Sequence, residues 1–484
     1  FASTNGGLSV PDVYALSNSV SSMLPPEEIL DEIGVNGYFA SVSLGYKNML
    51  YLDGTGRIDQ ASTLPEENNT YFYPSITGSF VFSEVLDMAW LSHGKLRLNY
   101  AQVGNSAPPR RTKDTYIGNA PFSGISMVTV PDTRNNPDLK PERQKALEGG
   151  LEMNFFQNRL GFDLALYKNN TVDQLMPVTV SFATGYSQKW VNAGEVENRG
   201  TELALYGTPV LTRDFRWNVS VNWAKNINEV VELFVDEAGN EVQNLQIAGL
   251  QGGVTINARV GEPYGTIHGS DFVYHENGGR ITDGGYYERS SDNDNVIGNV
   301  NPDWNAGINN VFSYKDFTFS FLIDWQQGGD LFSLDMWYGI GTGLYEETVG
   351  TNDLGNPMRA PYSEGGGVIL DGVNADGTQN TTRVPYTYST EGWASSPNAR
   401  FIYDASYIKL REVTLTYNLP DNLMNKTFIK GASLSFVGSN LWIISKNLPH
   451  ADPEASQGAG NVQGWQSGVM PSTRNYGFSL NIQL

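Results

Sequence analysis

The sequence has 484 residues and a formal net charge of −21, from 31 Lys and Arg against 52 Asp and Glu. It contains no cysteine, which excludes disulfide-stapled domains, thiolate zinc sites and cysteine nucleophiles. The acidic balance argues against a nucleic-acid partner, and 40% hydrophobic residues argue against disorder. No apolar run approaches the length of about 18 residues that a membrane-spanning helix needs.

Alternation of apolar and polar residues runs through the chain and predicts β-strands with two chemically different faces. The clearest run places Phe215, Trp217, Val219, Val221 and Trp223 between polar or small neighbours. Strands of this length can cross a bilayer when they are tilted. In chain order we predict thirteen of them: 38–46, 49–58, 71–83, 95–103, 144–156, 159–168, 198–207, 214–225, 304–314, 317–327, 405–418, 431–443 and 474–484.

The connections between these strands alternate in length. Tight turns are predicted at 47–48, 157–158 and 315–316, and fairly short connections at 84–94, 208–213 and 419–430. Short connections on one side and long ones on the other are typical of outer-membrane barrels, whose long loops are extracellular. The connections on the other side are mostly much longer: 59–70, 104–143, 169–197, 226–303, 328–404 and 444–473.

These patterns predict an all-β fold, a transmembrane antiparallel up-and-down β-barrel. A soluble all-β protein with elaborated loops stays open as an alternative, because one face of a sandwich strand is apolar too. The sorting of the loops by length favours the barrel, since a sandwich has no reason to arrange its loops in this way.

Short motifs along the chain resemble the SusC/RagA-like branch of TonB-dependent outer-membrane transporters, which is typical of Bacteroidetes. They occur in the family's order from about residue 38 onward, and together they are specific although each alone is weak. The matching stretches are Tyr51–Asp59, Tyr73–Ile76, Lys95–Asn105, Asn136–Glu142, Asn198–Leu203, Asn301–Asn305, Ser406–Tyr417, Gly438–Leu441 and Asp452–Glu454.

Most of these motifs are expected to be architectural. The proline-stiffened stretch Asn136–Glu142 fixes where a strand begins, and Gly200 and Gly438 allow a close backbone approach or a bulge. Lys409, Arg411 and Glu412 are expected to place charge inside the wall or at its rim.

The resemblance implies a barrel of about twenty-two strands with a plugged lumen, of which this chain holds about thirteen strands and no plug. Residues 1–37 are then expected to be the remnant of an extracellular loop. Residues 38–484 form the C-terminal portion of the barrel, with long extracellular loops at 104–143, 226–303 and 328–404. Half a barrel has open edges that lipid does not tolerate, so an N-terminal half with the plug is an expected partner.

By the same resemblance, the complete protein resides in the outer membrane and imports glycan fragments or peptides. A SusD-like surface lipoprotein captures the ligand and closes over the loops, and TonB supplies energy through the N-terminal part. Two alternatives stay open: a structural or secretion-associated scaffold without import activity, and a soluble carbohydrate-binding β protein.

No catalytic motif is found, and we do not expect an enzyme. The histidines His93, His268, His275 and His450 have no partner at ligand spacing and are interpreted as exposed or loop residues. The acidic stretch with Asp292 and Asp294 is a weak candidate for calcium, because oxygen ligands suit this ion. It lacks the glycine and glutamate of an EF-hand loop, so a solvated turn is the favoured interpretation.

Aromatic residues in the 328–404 loop are the candidate ligand-binding residues: Trp337, Tyr338, Tyr345 and Trp393. Aromatic rings beside polar groups suit sugars, whose C–H faces stack on rings while their hydroxyls form hydrogen bonds. The alternative is that these rings pack the loop against itself or against a partner.

Overall fold

The computed structural model describes residues 3–22, 30–86, 88–236, 239–386, 390–420, 429–454, 460 and 462–483. Its main element is one sheet in which thirteen long strands each pair antiparallel with the next along the chain. All thirteen predicted strands are confirmed. We call this sheet the wall and number its strands β1 Val35–Tyr46, β2 Leu50–Ala61, β3 Thr70–Val81, β4 Leu91–Asn105, β5 Glu142–Phe155, β6 Leu160–Thr179, β7 Gln188–Leu211, β8 Phe215–Glu232, β9 Pro302–Tyr314, β10 Phe317–Gly328, β11 Tyr407–Asn418, β12 Gly431–Lys446 and β13 Asn475–Gln483.

The register of the wall sorts its side chains onto two faces, because directly opposed residues of antiparallel strands share a face. One apolar row runs through Phe162, Leu205, Val221, Ile308 and Ile323, each opposite the next. The neighbouring row on the other face is polar or small, with Ala204, Asn222, Gly307 and Asp324 as successive partners. The wall therefore has one face suited to lipid and one suited to an aqueous lumen.

Aromatic side chains form a band at the turn end of β8 to β13. Trp217 stacks on Phe312 at 5.7 Å between ring centroids, and Phe312 lies 6.3 Å from Phe319. Phe436 and Phe478 continue the row across β12 and β13 at 5.5 Å. Aromatic girdles mark the interfaces between lipid and water in outer-membrane barrels, so this band lies where the short turns leave the membrane.

The predicted tight turns are confirmed by their backbone. Lys47, Asn48, Gln157, Asn158 and Lys315 all have φ between 49° and 64°, the left-handed conformation that two-residue hairpins require. The connection predicted at 419–430 lies largely outside the described residues.

One predicted loop is wrong. Most of 169–197 is strand, because β6 and β7 stay paired as far as Thr179 opposite Gln188. Backbone pairing satisfies peptide groups in water as well as in lipid, so the ladder continues after the apolar alternation has ended. The alternation of apolar and polar residues therefore marks only the membrane-spanning part of a strand, and the paired strand is longer.

The segments 233–301, 329–406 and 447–474 pack together, and we call them the loop assembly. Its described residues form a four-stranded sheet, a three-stranded sheet, a short two-stranded sheet of Thr282–Asp283 and Tyr286–Tyr287, and one α-helix, α1, Leu334–Gly341. Its main core is fully buried around Ile256, Ile267, Phe332 and Phe401. The four-stranded sheet consists of Asn244–Gly249, Thr255–Arg259, Thr266–Gly269 and Asn295–Asn299, and the three-stranded sheet of Ile402–Asp404, Asp330–Ser333 and Trp465–Gln466.

Within the part of the chain that the structure describes, no helix is both long and apolar enough to span a membrane.

Candidate functional site

Helix α1 carries two of the four predicted ligand-binding aromatics. Ser333 caps the helix, because its Oγ accepts a hydrogen bond of 3.2 Å from the Met336 backbone N–H. Leu334 and Met336 lie in the main core of the loop assembly, which fixes the orientation of the helix. Trp337 packs against the same core and is partly buried, whereas the neighbouring Tyr338 is exposed.

Trp337, Tyr338 and Trp393 contact one another, and we call them the aromatic platform. Trp337 lies 5.4 Å from Trp393 and 4.7 Å from Tyr338 between ring centroids, and Tyr338 is nearly perpendicular to it. Tyr338 and Trp393 are 40% and 41% exposed. The Gln251 side-chain amide donates to the Tyr338 hydroxyl. Exposed rings with amide groups at their margin can stack on a ligand and hydrogen-bond to it.

Tyr345, the fourth predicted residue, is held by a different contact. Its ring packs over Gly339 of α1 and stacks in parallel on the His450 ring at 4.4 Å. His450 Nε2 lies 2.7 Å from Glu347 Oε1. Burial opposes ionisation of Glu347, but hydrogen bonds from its own backbone and from His450 outweigh it and hold the pKa of this carboxyl below its ordinary value. Tyr345 thus joins two long loops.

The weak calcium candidates are both engaged by other side chains. Asp294 pairs with Arg259 at 2.6 Å and contacts His268 Nδ1 at 3.0 Å, and Asp292 accepts from Asn295 at 2.8 Å. No group of three or more His, Asp or Glu that could hold a metal ion occurs among the described residues. The calcium site stays a prediction. The expectation that His268 is exposed is wrong, because its ring is 0% exposed.

A cluster of charges lies on the polar face of β10 and β11, and we call it the ion cluster: Asp324, Lys409, Arg411, Asp452 and Glu454. Lys409 Nζ lies 2.5 Å from both Asp452 Oδ1 and Glu454 Oε2. Arg411 donates to Asp324 at 2.7 Å and also contacts Glu454. Lys409 and Asp452 are almost fully buried, at 4% and 6% exposure.

The ion cluster keeps its loop carboxylates ionised. Burial opposes the charge of Asp452, but Lys409 and the hydrogen bonds from Glu454 and Ser472 hold the pKa of this carboxyl below its ordinary value. Burial likewise opposes the charge of Glu454, and Arg411 and Lys409 again lower the pKa of its carboxyl. Lys409 lies opposite Asp324 and Glu412 lies opposite Leu322, so both lie on the polar face of the wall. Arg411 bonds to Asp324 on the same face.

Both halves of the ion cluster belong to motifs of the sequence, but the motifs alone do not show that the two halves pair. Lys409 and Arg411 are two residues apart on a strand, and Asp452 and Glu454 are two residues apart around a proline. Side chains at this spacing share one side of an extended chain, so two such charged pairs of opposite sign are the signal that could have linked them. The separation of 43 positions between Lys409 and Asp452 hides this contact from local patterns.

A family model described as TonB dependent receptor-like, beta-barrel, matches residues 15–441. The chain belongs to this family of TonB-dependent receptors. The wall of a TonB-dependent receptor lies in the outer membrane, which accounts for its apolar face. Its polar face accordingly lines the lumen.

Curated relatives include TonB-dependent receptor P26 of Formosa agariphila, which is 28% identical over 96% of this chain and 48% of its own length. TonB-dependent receptor SusC of Bacteroides thetaiotaomicron is 23% identical over 87% of this chain and 41% of its own length. The chain spans about half the length of the curated relatives it matches.

The structure of the RagAB peptide transporter matches with a TM-score of 0.76 at 20% identity, covering 97% of this chain and 50% of that one. The RagAB peptide importer in its closed-closed state matches with a TM-score of 0.74 at 21% identity. At these identities the likeness shows a shared fold.

Proposed function

We propose that the protein is a nutrient importer of the outer membrane, which takes up glycan fragments or peptides together with a SusD-like surface lipoprotein. The proposal is carried by the combination of a TonB-dependent receptor barrel with folded long loops. These loops pack around a common buried core and carry exposed aromatic rings. A folded assembly at the mouth of a barrel provides a surface for a ligand and for a lid.

The chain supplies one part of this machine. The chain from β1 onward, which begins at Val35 and not at the predicted residue 38, contributes the wall, the lumen lining and the loops on which the lipoprotein docks. The residues before β1 belong to the preceding extracellular loop. The remaining strands, the plug and the segment that contacts TonB come from the rest of a longer protein. Uptake then proceeds by binding and conformational gating, driven through TonB, without covalent chemistry.

The aromatic platform is the proposed ligand contact of this chain. Tyr338 is 40% exposed although its helix is anchored in the core, so this exposure is not the result of a loose loop. Trp337 of the same helix packs against the core and contacts Trp393, which is 41% exposed. Stacking and hydrogen bonding by Trp337, Tyr338 and Trp393 suit a sugar ring or an extended peptide. Tyr345 contributes indirectly, by holding the helix beneath the platform.

The test is uptake and binding by the full-length protein with its co-expressed lipoprotein. Deleting the gene should abolish growth on one class of ligand, oligosaccharides or peptides, and dissipating the proton-motive force should abolish uptake by wild-type cells. Calorimetric titration should show that Trp393→Ala weakens binding about ten-fold, which corresponds to about 1.4 kcal/mol.

Tyr362→Ala is the matched control, because Tyr362 is an exposed aromatic of the same loop outside the platform, and it should leave affinity unchanged. Unimpaired growth on both ligand classes after gene deletion would contradict the import function. Equal affinity of the Trp393 and Tyr362 variants would contradict the assignment of the platform.

A further inference from the structure

The third long loop connects the wall to the helix that carries the aromatic platform. We call residues 448–473 the strap; the structure describes them as 448–454, 460 and 462–473. The strap leaves the wall after β12 and returns to it before β13. Between these points it touches both the ion cluster and the start of α1.

The base of the strap is fixed to the lumen face of the wall. Asp452 and Glu454 pair with Lys409 and Arg411, as described above. Ser472 donates to Asp452 Oδ2 at 2.9 Å, which ties the returning arm of the strap to the outgoing arm. Since Lys409 and Asp452 are buried, removing one of them leaves an uncompensated charge away from water.

The top of the strap is bonded to the first turn of α1. Trp465 and Gln466 pair in parallel with Phe332 and Ser333. Ser333 Oγ donates to Gln466 Oε1 at 2.5 Å, and this Ser333 is the residue that caps the helix.

Asp335 completes this attachment. Its carboxylate accepts from the Gln466 side-chain amide and, at 2.7 Å, from the Gly468 backbone N–H. Asp335 lies in the first turn of α1, two residues before Trp337. Gln466 itself is 1% exposed, so the bonds of its side chain are shielded from water.

A second contact connects the same strap to the other end of α1. The His450 ring of the strap stacks on Tyr345, whose ring packs over Gly339 near the end of the helix. Leu448, at the start of the strap, is buried against Leu331 and Ala405. Both ends of α1 are therefore held by one loop, and that loop is held by charges on the wall.

We propose that Lys409 and Arg411 are positioning residues for the aromatic platform, acting through the strap. They act at a distance from the platform, by holding Asp452 and Glu454 of the strap in place. The strap in turn bonds to Ser333 and Asp335, and these two residues determine the position of the first turn of α1. The inference rests on the proposed function, because it makes the platform the ligand surface. It adds that two residues on the lumen face of the wall determine the position of the aromatic platform.

The test is hydrogen exchange measured by mass spectrometry on the full-length protein without ligand. Lys409→Met should accelerate exchange of the amides of the strap and of α1 by about ten-fold, since both lose their anchor. Exchange in the strand Thr266–Gly269, which pairs with Thr255–Arg259 and Asn295–Asn299, should stay unchanged. Glu454→Gln, a milder change at a partly exposed partner, should show the same pattern more weakly if the methionine variant folds poorly.

A double variant separates transmission through the strap from general loss of stability. Gln466→Leu removes the side-chain bonds to Ser333 and Asp335 and leaves the Gly468–Asp335 bond and the His450–Tyr345 stack in place, so it should accelerate α1 and the top of the strap but not its base. In this background Lys409→Met should add less to the exchange of α1 than it adds alone, while it still loosens the base of the strap. Lys168→Met is the matched control, because Lys168 forms a 2.7 Å ion pair with Glu197 that is exposed on the wall, and it should change neither segment.

Faster exchange in the strap with an unchanged α1 would overturn the inference, and so would equal acceleration of the whole loop assembly. Because no ligand is present, this result does not depend on whether the protein is an importer. Titrating the same variants with oligosaccharide and peptide then tests the importance of the platform position for affinity.

Discussion

The wall and the loop assembly bury their apolar residues in opposite environments. In the wall, Leu205 and Phe478 are 39% and 79% exposed, because their neighbours outside the protein are lipid chains. In the loop assembly, Phe332 and Phe401 are 0% exposed, because their neighbours are other side chains. A phenylalanine is therefore stabilised by contact with lipid in the wall and by contact with other side chains in the loop assembly. The same substitution should change the stability of the two regions by different amounts.

The two regions also differ in the range of their contacts. Each wall strand pairs with the next one along the chain, whereas the core of the loop assembly joins residues from three separate loops. Loss of one contact in the wall leaves the neighbouring ladders intact. In the loop assembly, one core side chain contacts several segments at once, so its loss weakens all of them.

The largest expected effect is a cavity in the loop core. Phe332→Ala should destabilise the loop assembly by about 3–5 kcal/mol, because it removes a fully buried ring. Hydrogen exchange of the buried strands around Phe401 measures this. Phe478→Ala in the wall is the control and should cost much less, since lipid fills the space. Equal costs would mean that the two regions do not differ as described.

The next effect tests which face of the wall meets lipid. Leu205→Arg should cost about 2–4 kcal/mol in lipid vesicles, the range for a cation on the lipid face near the bilayer centre. Asn222→Arg, on the polar face of the adjacent strand, should be tolerated because water solvates the charge. Urea titration of the refolded full-length protein gives both values. A larger cost for Asn222→Arg than for Leu205→Arg would mean that the polar face, and not the apolar face, meets the lipid.

A smaller effect is expected where two strands approach closely. A Cβ on Gly200 would lie 2.4 Å from the Lys225 carbonyl oxygen and 2.5 Å from the Tyr167 ring. Gly200→Ala should therefore cost about 1–3 kcal/mol through overpacking. Gly149→Ala is the matched control, since a Cβ there meets nothing within 4 Å. The same urea titration compares them, and similar stabilities would contradict the close approach.

The smallest effect is a dependence on pH at the strap. The pKa values of Asp452 and Glu454 are lowered in the folded protein. Their stabilisation is then complete above the pKa of an unfolded carboxyl, at about 4, and is lost as the pH falls through the lower folded values. Hydrogen exchange of the strap amides, compared with the intrinsic exchange rate at each pH, should accelerate only below about pH 4.

Glu454→Gln should weaken this acid response, because one of the two titrating carboxyls is gone. Opening of the strap between pH 5 and 8 would contradict the assignment, since neither carboxyl titrates there.

The wall was predictable from the sequence because lipid imposes a local pattern. The alternation from Phe215 to Trp223 and the turn at 315–316 each reflect one strand and one bilayer, without reference to distant residues. The ends of β6 and β7 were not predictable, since above the membrane the ladder no longer needs an apolar face.

The loop assembly was predictable only in part. The sequence marked Trp337, Tyr338 and Trp393 as candidate ligand-binding aromatics, and the structure brings these three together. It could not separate Tyr345 from them, because the stacking partner His450 comes from another loop. The strap was missed for the same reason, since its anchors depend on long-range contacts that no local period records.

The most direct test of the central claim, that short turns and long loops lie on opposite sides of the outer membrane, uses the lack of cysteine in this chain. Single cysteines at Leu344 and Met470, both strongly exposed in the loop assembly, are compared with cysteines at Asn158 and Lys315 in the tight turns. In intact cells, a membrane-impermeant maleimide should label the loop positions, and it should label the turn positions only after the outer membrane is opened. Labelling of the turn cysteines in intact cells, or protection of the loop cysteines in the absence of the lipoprotein, would contradict the account.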